Sequence, residues 1–283
     1  MTPVPEITVV IPAYNAAETI GIQLDALIAQ KDAPAFEVVV ADNRSTDGTA
    51  AVAESYGDRL GIRVVPAFER QGVNCARNTG AAAASSDLIL LLDADDAAYP
   101  YVLRRLHDAI TADPTIGVVG GMFDSNDADT FEIDTPQRYL PYVPGCIMMF
   151  RREVFTAIGG FDEAFVGGHD EVDFCWRVQQ AGFGVVLVKT ALLGRVERST
   201  LKGAFRQFKR YGFTYIQLWT KHRDRGIPGG SPRSELRPAR NLLLTLPSLL
   251  LKDPERRLDA SRSLGWTIGR WQGNLHFRVW GPR

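Results

Sequence analysis

Short runs of β-branched and aliphatic residues alternate with segments of helical period through the first two-thirds of the chain, and few folds accommodate that alternation. Ile7 to Ile11 (ITVVI) and Phe36 to Val40 (FEVVV) are almost wholly apolar rather than apolar at every second residue, as strands covered on both faces are. Between them, Ile20, Leu24, Leu27 and Ile28 recur at helical spacing within Glu18 to Gln30. This is a β-α-β unit. The same pattern predicts a helix over Thr49 to Tyr56, a strand over Ile62 to Val65, a helix over Asn74 to Ala84 and a strand over Leu88 to Leu92. It continues with helices over Val102 to Ala112, Arg152 to Ile158 and His169 to Gln180, and strands over Gly117 to Gly120, Cys146 to Phe150 and Gly184 to Val188. The implied fold is α/β, a mostly parallel sheet with helices on both faces. A chain of 283 residues, 45% of them hydrophobic, supplies enough apolar surface for a large core.

Sheets of this kind bind ligands beyond the carboxyl ends of their strands. Three such ends are polar here: Pro12-Ala13-Tyr14-Asn15, Asp42-Asn43-Arg44-Ser45 and Asp93-Ala94-Asp95-Asp96. The last follows the apolar run Leu88 to Leu92 directly. Neighbouring carboxylates repel and raise each other's pKa, so their placement there points to a cation or polar ligand. A polar stretch without clean periodicity, from Asp124 to Pro144, belongs to the class of long irregular segments that are usually functional or mobile.

Charge is divided along the chain. Residues 1–190 carry 13 Lys/Arg against 27 Asp/Glu, and residues 191–283 carry 19 against 6. From Thr200 the pattern is basic and helical, interrupted by a Pro/Gly-rich linker from Arg225 to Pro238 and then helical to Trp280. We therefore divide the chain at about 200, with a basic, mainly helical C-terminal region over 201–283. Cys75, Cys146 and Cys175 are odd in number and have no CxxC spacing, which indicates neither a disulfide framework nor a zinc knuckle. The opening MTPVPEITVVIPAYN lacks a basic n-region and a long apolar h-region, and Leu242 to Leu251 is too short to span a bilayer and contains Pro247. The expected location is cytoplasmic, with peripheral attachment to the membrane left open.

Four stretches, in order and at matching spacing, resemble the nucleotide-sugar-dependent glycosyltransferases of the GT-A fold, family 2. They are Val9-Val-Ile-Pro-Ala-Tyr-Asn15, Val40-Ala-Asp-Asn-Arg-Ser-Thr-Asp-Gly-Thr49, Leu91-Leu-Asp-Ala-Asp-Asp96 and Gly159 to Arg177 (GGFDEAFVGGHDEVDFCWR). The resemblance covers roughly residues 5–215. It implies a Rossmann-like GT-A catalytic domain over 1–200, with a donor-binding half to about 100 and an acceptor-binding half beyond.

The resemblance also implies roles. Pro12, Tyr14, Asp42, Asn43 and Arg77 would hold the base and ribose of the donor. Asp93, the first carboxylate of the DxD motif, would contact the nucleoside, and Asp95, the last, would hold Mg²⁺ or Mn²⁺. An amide oxygen on Asn43 can accept from the N3–H of uracil or thymine, whereas guanine's paired donors suit a carboxylate better, so UDP or dTDP is favoured. Asp96 is either a supporting carboxylate or a cap for the helix near Pro100, and Asp47 either caps the following helix or touches ligand. Relatives carry Glu-Asp where this chain has Asp170-Glu171. By position Glu171 inherits the general-base role, with Asp170 the alternative. Asp173 and Arg177, four apart on a helix, read as a structural ion pair.

The expected reaction is inverting transfer of a hexose-type sugar to a hydroxyl on a glycan, a lipid-linked acceptor or a small molecule. No nucleic-acid partner is expected. The chain departs from the family in having no His near Gly194, where Arg195 and Arg198 could supply charge instead, and His169 is a candidate for acceptor contact. Two rivals stand: a nucleotidyltransferase-like protein, which would want a Gly-rich basic loop that Pro12-AYNAAET lacks, and a non-catalytic nucleotide-sugar-binding protein. The basic tail's apolar residues, among them Phe205, Phe208, Tyr211 to Phe213 and Leu242 to Leu251, either pack onto the catalytic domain or meet an anionic membrane surface.

Overall fold

The computed structural model describes residues 4–124, 133–195, 200–250 and 253–282. The chain divides into two compact units. The first comprises residues 1–134, 141–163 and 171–196; the second comprises residues 135–140, 164–170 and 197–283.

The first unit is built on one eight-stranded sheet. In chain order its elements are β1 (Ile7–Ala13), α1 (Ile20–Ile28), β2 (Phe36–Asp42), α2 (Thr49–Glu54), β3 (Ile62–Pro66), α3 (Val73–Ala83), β4 (Leu88–Leu92), β5 (Asp96–Ala98), α4 (Val102–Thr111), β6 (Ile116–Phe123), β7 (Ile147–Arg151), α5 (Arg152–Ile158), α6 (Asp170–Gln180) and β8 (Gly184–Arg195). The strand order is β3-β2-β1-β4-β7-β6-β8-β5. β1 pairs in parallel with β2 and β4, β2 with β3, and β6 with β8. β7 runs antiparallel between β4 and β6, and β5 antiparallel to the end of β8.

Alternate residues of the central strands feed separate cores, because successive side chains on a strand point to opposite faces. Ile7, Val9, Ile11, Leu90 and Leu92 bury one face with Ile20 and Leu24 of α1, Ala53 of α2 and Leu103 and Leu106 of α4. Val10, Val39, Ile89 and Leu91 bury the other with Ala81 of α3, Val154 of α5 and Phe174 and Val178 of α6. Helices on both faces are the α/β arrangement that the continuous apolar strands imply. Gly80 lets α3 lie directly on β1, since a Cβ there would overlap Val10 Cγ1.

Two local readings change. Asp96 does not cap the helix after Pro100: it opens β5 opposite Arg195, and α4 begins after Tyr101 with no side-chain cap. A three-residue strand has too few residues to show a period. β8 also runs seven residues past its sequence-predicted end at Val188, because its far end pairs with β5.

The second unit contains α7 (Leu201–His222), α8 (Leu236–Thr245) and α9 (Pro254–Phe277). α7 is capped by Thr200, whose Oγ1 accepts from Gly203 N–H at 3.0 Å, and α9 by Asp253, whose Oδ1 accepts from Glu255 N–H at 3.0 Å. The two helices run in the same direction and nearly touch. Cβ atoms on Gly265 and Gly269 of α9 would meet α7 backbone at Lys209 N (3.0 Å) and Phe213 N (2.9 Å), and one on Gly212 of α7 would meet Arg270 N at 2.8 Å. Aromatic pairs lock the seam, Tyr215 with Trp266 (5.1 Å between centroids) and Phe213 with Phe277 (5.5 Å). The α7 aromatics are thus accounted for by packing within their own unit, whereas Leu243, Leu244 and Leu250 lie exposed. Among the described residues no helix is long and apolar enough to cross a membrane.

Candidate active site

A cleft of about 230 Å³ opens at the carboxyl ends of β1 and β2, lined by Pro12, Ala13, Tyr14, Asn43, Gln71, Gly72, Val73 and Ala76. Pro12, Tyr14 and Asn43 are brought together as the sequence predicts. Tyr14 is 52% exposed, leaving its ring free to cover a planar ligand. Gln71, Gly72 and Val73 are lining residues that the sequence reading missed, although Gly72, just before a helix, was the available signal.

Asn43 has a second duty. Its Nδ2 donates to Arg70 O at 2.8 Å and to Ala67 O, while its Oδ1 accepts from Gly72 N–H at 2.8 Å. One side chain therefore ties down both ends of the 67–72 loop that forms the cleft wall. Asp42 is buried, with Oδ1 accepting from Ser45 N–H at 3.2 Å. Asp47 holds the turn before α2: its Oδ1 accepts from Thr49 Oγ1 at 2.5 Å and its Oδ2 from Ala17 N–H at 3.0 Å. These hydrogen bonds, that from the Thr49 hydroxyl foremost, lower its pKa.

The carboxylates after β4 are not left to repel one another. Arg77, on α3 and 6% exposed, brings Nη2 to 3.7 Å from Asp93 Oδ1. The guanidinium also lies over the Phe161 ring, 5.3 Å from its centroid. Arg77 is absent from the cleft lining and sits instead at the carboxylate cluster. The buried Gln23 of α1 braces the loop, donating from Nε2 to Asp93 O at 3.1 Å and accepting at Oε1 from Ala98 N–H at 2.9 Å. Asp95 is exposed.

Glu171, the second residue of α6, reaches this group from the other side. A Cβ on Gly145 would stand 3.1 Å from Glu171 Cβ and 3.2 Å from Arg77 Nη2. Gly145 is thus the spacer between the two side chains, and Asp93, Arg77 and Glu171 adjoin in sequence-distant order. Nothing in the sequence marks Gly145 for this. α6 is held from beneath by Phe174 stacked on Phe161 (4.2 Å) and by Arg177, whose Nη1 donates to Ile158 O at 2.8 Å while its Nε donates to the buried Asp173 Oδ2 at 2.8 Å, the ion pair that the i, i+4 spacing predicts. Asn78 of α3 clamps the turn before it, accepting from Phe161 N–H at 2.8 Å and donating to Phe161 O at 2.9 Å.

In the second unit, Gly167, Gly168 and His169 all have left-handed φ (84°, 146° and 61°) immediately before Asp170. His169 Nδ1 lies 2.9 Å from Thr214 Oγ1. The Thr214 hydroxyl donates to Arg210 O at 3.0 Å, so its oxygen accepts and the proton belongs on Nδ1. Tyr211, Tyr215 and Trp266 surround the ring. Burial pushes the imidazole pKa down to about 4, with the Asp170 carboxylate pulling the other way. Asp170 itself is buried. Arg198 lies outside the described residues, as does the Arg195 side chain, so the expected substitute for the family His does too.

Asp93, Asp96 and Cys146 bring ligand atoms within 4.8 Å of one another. Carboxylate oxygens suit Mg²⁺ or Mn²⁺, while a thiol is softer than either ion prefers, so the donors of this group that fit such a cation are Asp93 and Asp96; Asp95, the residue expected to hold it, is exposed and is not one of the three. Cys146 is a residue the sequence reading did not place here.

A model of glycosyl transferase family 2 matches residues 8–162, and one of glycosyl transferase family group 2 matches residues 88–252. The pre-mycofactocin glycosyltransferase of Mycobacterium tuberculosis is 30% identical over 244 residues, 79% of this chain and 49% of that protein. The chain thus spans about half the length of that relative. Among solved structures, the mannosyltransferase PcManGT of Pyrobaculum calidifontis, in complex with GDP-Man and Mn²⁺, superposes with a TM-score of 0.67 at 24% identity over 97% of this chain and 88% of its own. Glucosyl-3-phosphoglycerate synthase of M. tuberculosis, in complex with Mn²⁺, UDP and phosphoglyceric acid, gives 0.59 at 21% identity over 80% and 82%. These likenesses show the GT-A fold. With the family model matching more than half of its residues, the chain belongs to glycosyl transferase family 2.

Proposed function

We propose that this glycosyltransferase moves a hexose-type sugar, with inversion, from a nucleoside diphosphate donor to an acceptor hydroxyl. The carrying observation is the meeting of Asp93, Arg77 and Glu171 around Gly145, beside a cleft at the carboxyl ends of β1 and β2. The base and ribose occupy that cleft between Tyr14 and the 67–72 loop. The sequence reading favours UDP or dTDP through the Asn43 amide, but that amide is engaged at both ends by the 67–72 loop; PcManGT, solved with GDP-Man, and the synthase solved with UDP mark the two alternatives to be separated.

Asp95, with Asp93 and Asp96, would hold Mg²⁺ or Mn²⁺, which when bound neutralises charge on the diphosphate. Arg77, 3.7 Å from Asp93, adds fixed positive charge at the same place. Glu171 accepts the proton of the acceptor hydroxyl at a carboxylate oxygen as the new bond forms, because a hydroxyl is a weak nucleophile at neutral pH. Asp170, buried one residue earlier, is the alternative base.

The test is a thermal-shift screen over UDP-, dTDP- and GDP-sugars with and without Mn²⁺, followed by donor hydrolysis and transfer with wild type and Glu171→Gln. Donor binding raises apparent stability. The variant should keep that shift and lose transfer by about 10²–10⁴-fold. Unchanged transfer in Glu171→Gln with loss in Asp170→Asn moves the base by one residue. Donor binding without hydrolysis or transfer in wild type makes the chain a binding protein.

A further inference from the structure

Within the second unit, α8 and the short 3-10 turn after it (Leu246–Leu250) form a leucine-rich ridge that none of the described residues covers. Leu236 is 67% exposed, Leu243 72%, Leu244 71% and Leu250 90%. Soluble surfaces seldom leave so many large aliphatic side chains bare in fifteen residues, and contiguous patches of this kind mark interaction sites. The cations lie among the leucines rather than opposite them. On α8, Leu236, Arg240 and Leu243 share one helical face, and Arg237, Arg240 and Leu244 the next, with Arg237 and Arg240 both exposed; Leu250 follows in the 3-10 turn. From Arg225 to Lys252 the chain holds Arg225, Arg233, Arg237, Arg240 and Lys252 against the single carboxylate Glu235. Trp271 and Trp280, about half exposed, belong to the same unit.

We infer that this ridge seats the protein on an anionic lipid surface. Leucines enter the acyl boundary while the interleaved arginines meet lipid phosphates, a match of apolar area and charge on one face. A second copy fits poorly, because a two-fold contact would set Arg237 and Arg240 against their own counterparts with almost no acid to answer them. Among the described residues no helix is long and apolar enough to cross a bilayer. The inference is independent of the donor and base assignments.

The experiment is co-sedimentation of the full chain with vesicles of phosphatidylcholine alone or mixed with phosphatidylglycerol, at low and high salt. Wild type should bind the mixed vesicles at low salt and release at high salt. Arg237→Gln/Arg240→Gln should weaken binding by about 30-fold, taking roughly fivefold for each surface cation. Leu243→Ser/Leu244→Ser should weaken it comparably while leaving donor hydrolysis and the unfolding midpoint unchanged, because both side chains are already in water. No binding to mixed vesicles at low salt overturns the inference. So does wild-type binding by the Leu243→Ser/Leu244→Ser variant, or a concentration-dependent dimer that this variant abolishes.

Discussion

Gly269→Ala is a substitution whose sign is decided by the α7–α9 seam. In an exposed helix interior, Gly to Ala stabilises by roughly 0.5–1 kcal/mol, because alanine loses less backbone entropy on folding. At Gly269 the added methyl would overlap the Lys209 carbonyl oxygen and stand 2.9 Å from both Lys209 C and Phe213 N. These are backbone atoms of a 22-residue helix, so no rotamer change relieves the clash. α7 would have to retreat bodily, opening the contacts at Gly265 and Gly273 and parting Tyr215 from Trp266. Overpacking costs about 1–3 kcal/mol, and a rigid backbone neighbour puts this case at the upper end. Subtracting the propensity gain leaves a net loss of about 2 kcal/mol. Urea unfolding of the full chain, followed by far-ultraviolet circular dichroism, reads this directly. Gly61→Ala is the control, since a Cβ there meets nothing within 4 Å and its φ is not positive. A Gly269→Ala protein as stable as wild type would refute the close-packed seam.

Asn43→Asp should set a carboxylate oxygen against the carbonyls of Ala67 and Arg70, destabilising by about 1–3 kcal/mol and weakening pyrimidine and guanine donors together. A shift toward guanine donors in the thermal-shift screen without lost stability would make Asn43 a reader of the base instead. His169, at about 4 in the folded chain against an ordinary 6.5, leaves the unfolded state binding the proton first as pH falls. Stability should therefore decline from about pH 6.5 down to about 4 and level off below. His169→Asn, which tolerates left-handed φ and can donate to Thr214, should flatten that decline; parallel wild-type and variant curves of urea midpoint against pH would remove His169 as its source.

The sheet's helices, strands and polar strand ends were legible because strands buried on both faces must be apolar at nearly every position. Strand direction was not. The antiparallel insertion of β7 depends on which partner its backbone meets, and periodicity carries no such information. β5 was invisible for want of length. At the site, Asp42, Asn43 and the Asp93 to Asp96 cluster could be found because polar residues ending an apolar run stand out. Gly145 and Cys146 could not, since their placement beside Glu171 and Asp93 arises only when segments about twenty-five and fifty residues apart in sequence close on one another. Arg77 shows the same limit: the residue was identifiable, but its direction toward the carboxylates rather than the cleft depends on how α3 packs.

The second unit is stitched from three stretches of chain, and this governs how the protein can be taken apart. A chain cut after residue 196 would keep residues 135–140 and 164–170 but lose their partners on α7. Gln137 Nε2 would lose the Tyr215 carbonyl, and Ala164 O the Gln217 amide. Gly167, Gly168 and His169 would lose Arg210, Tyr211 and Thr214, the side chains that hold three successive left-handed residues in place. The excised sheet would then carry a slack lead into Asp170 and Glu171. A transplant of the sheet onto another partner must therefore bring residues 197–283 with it, or replace the support they give.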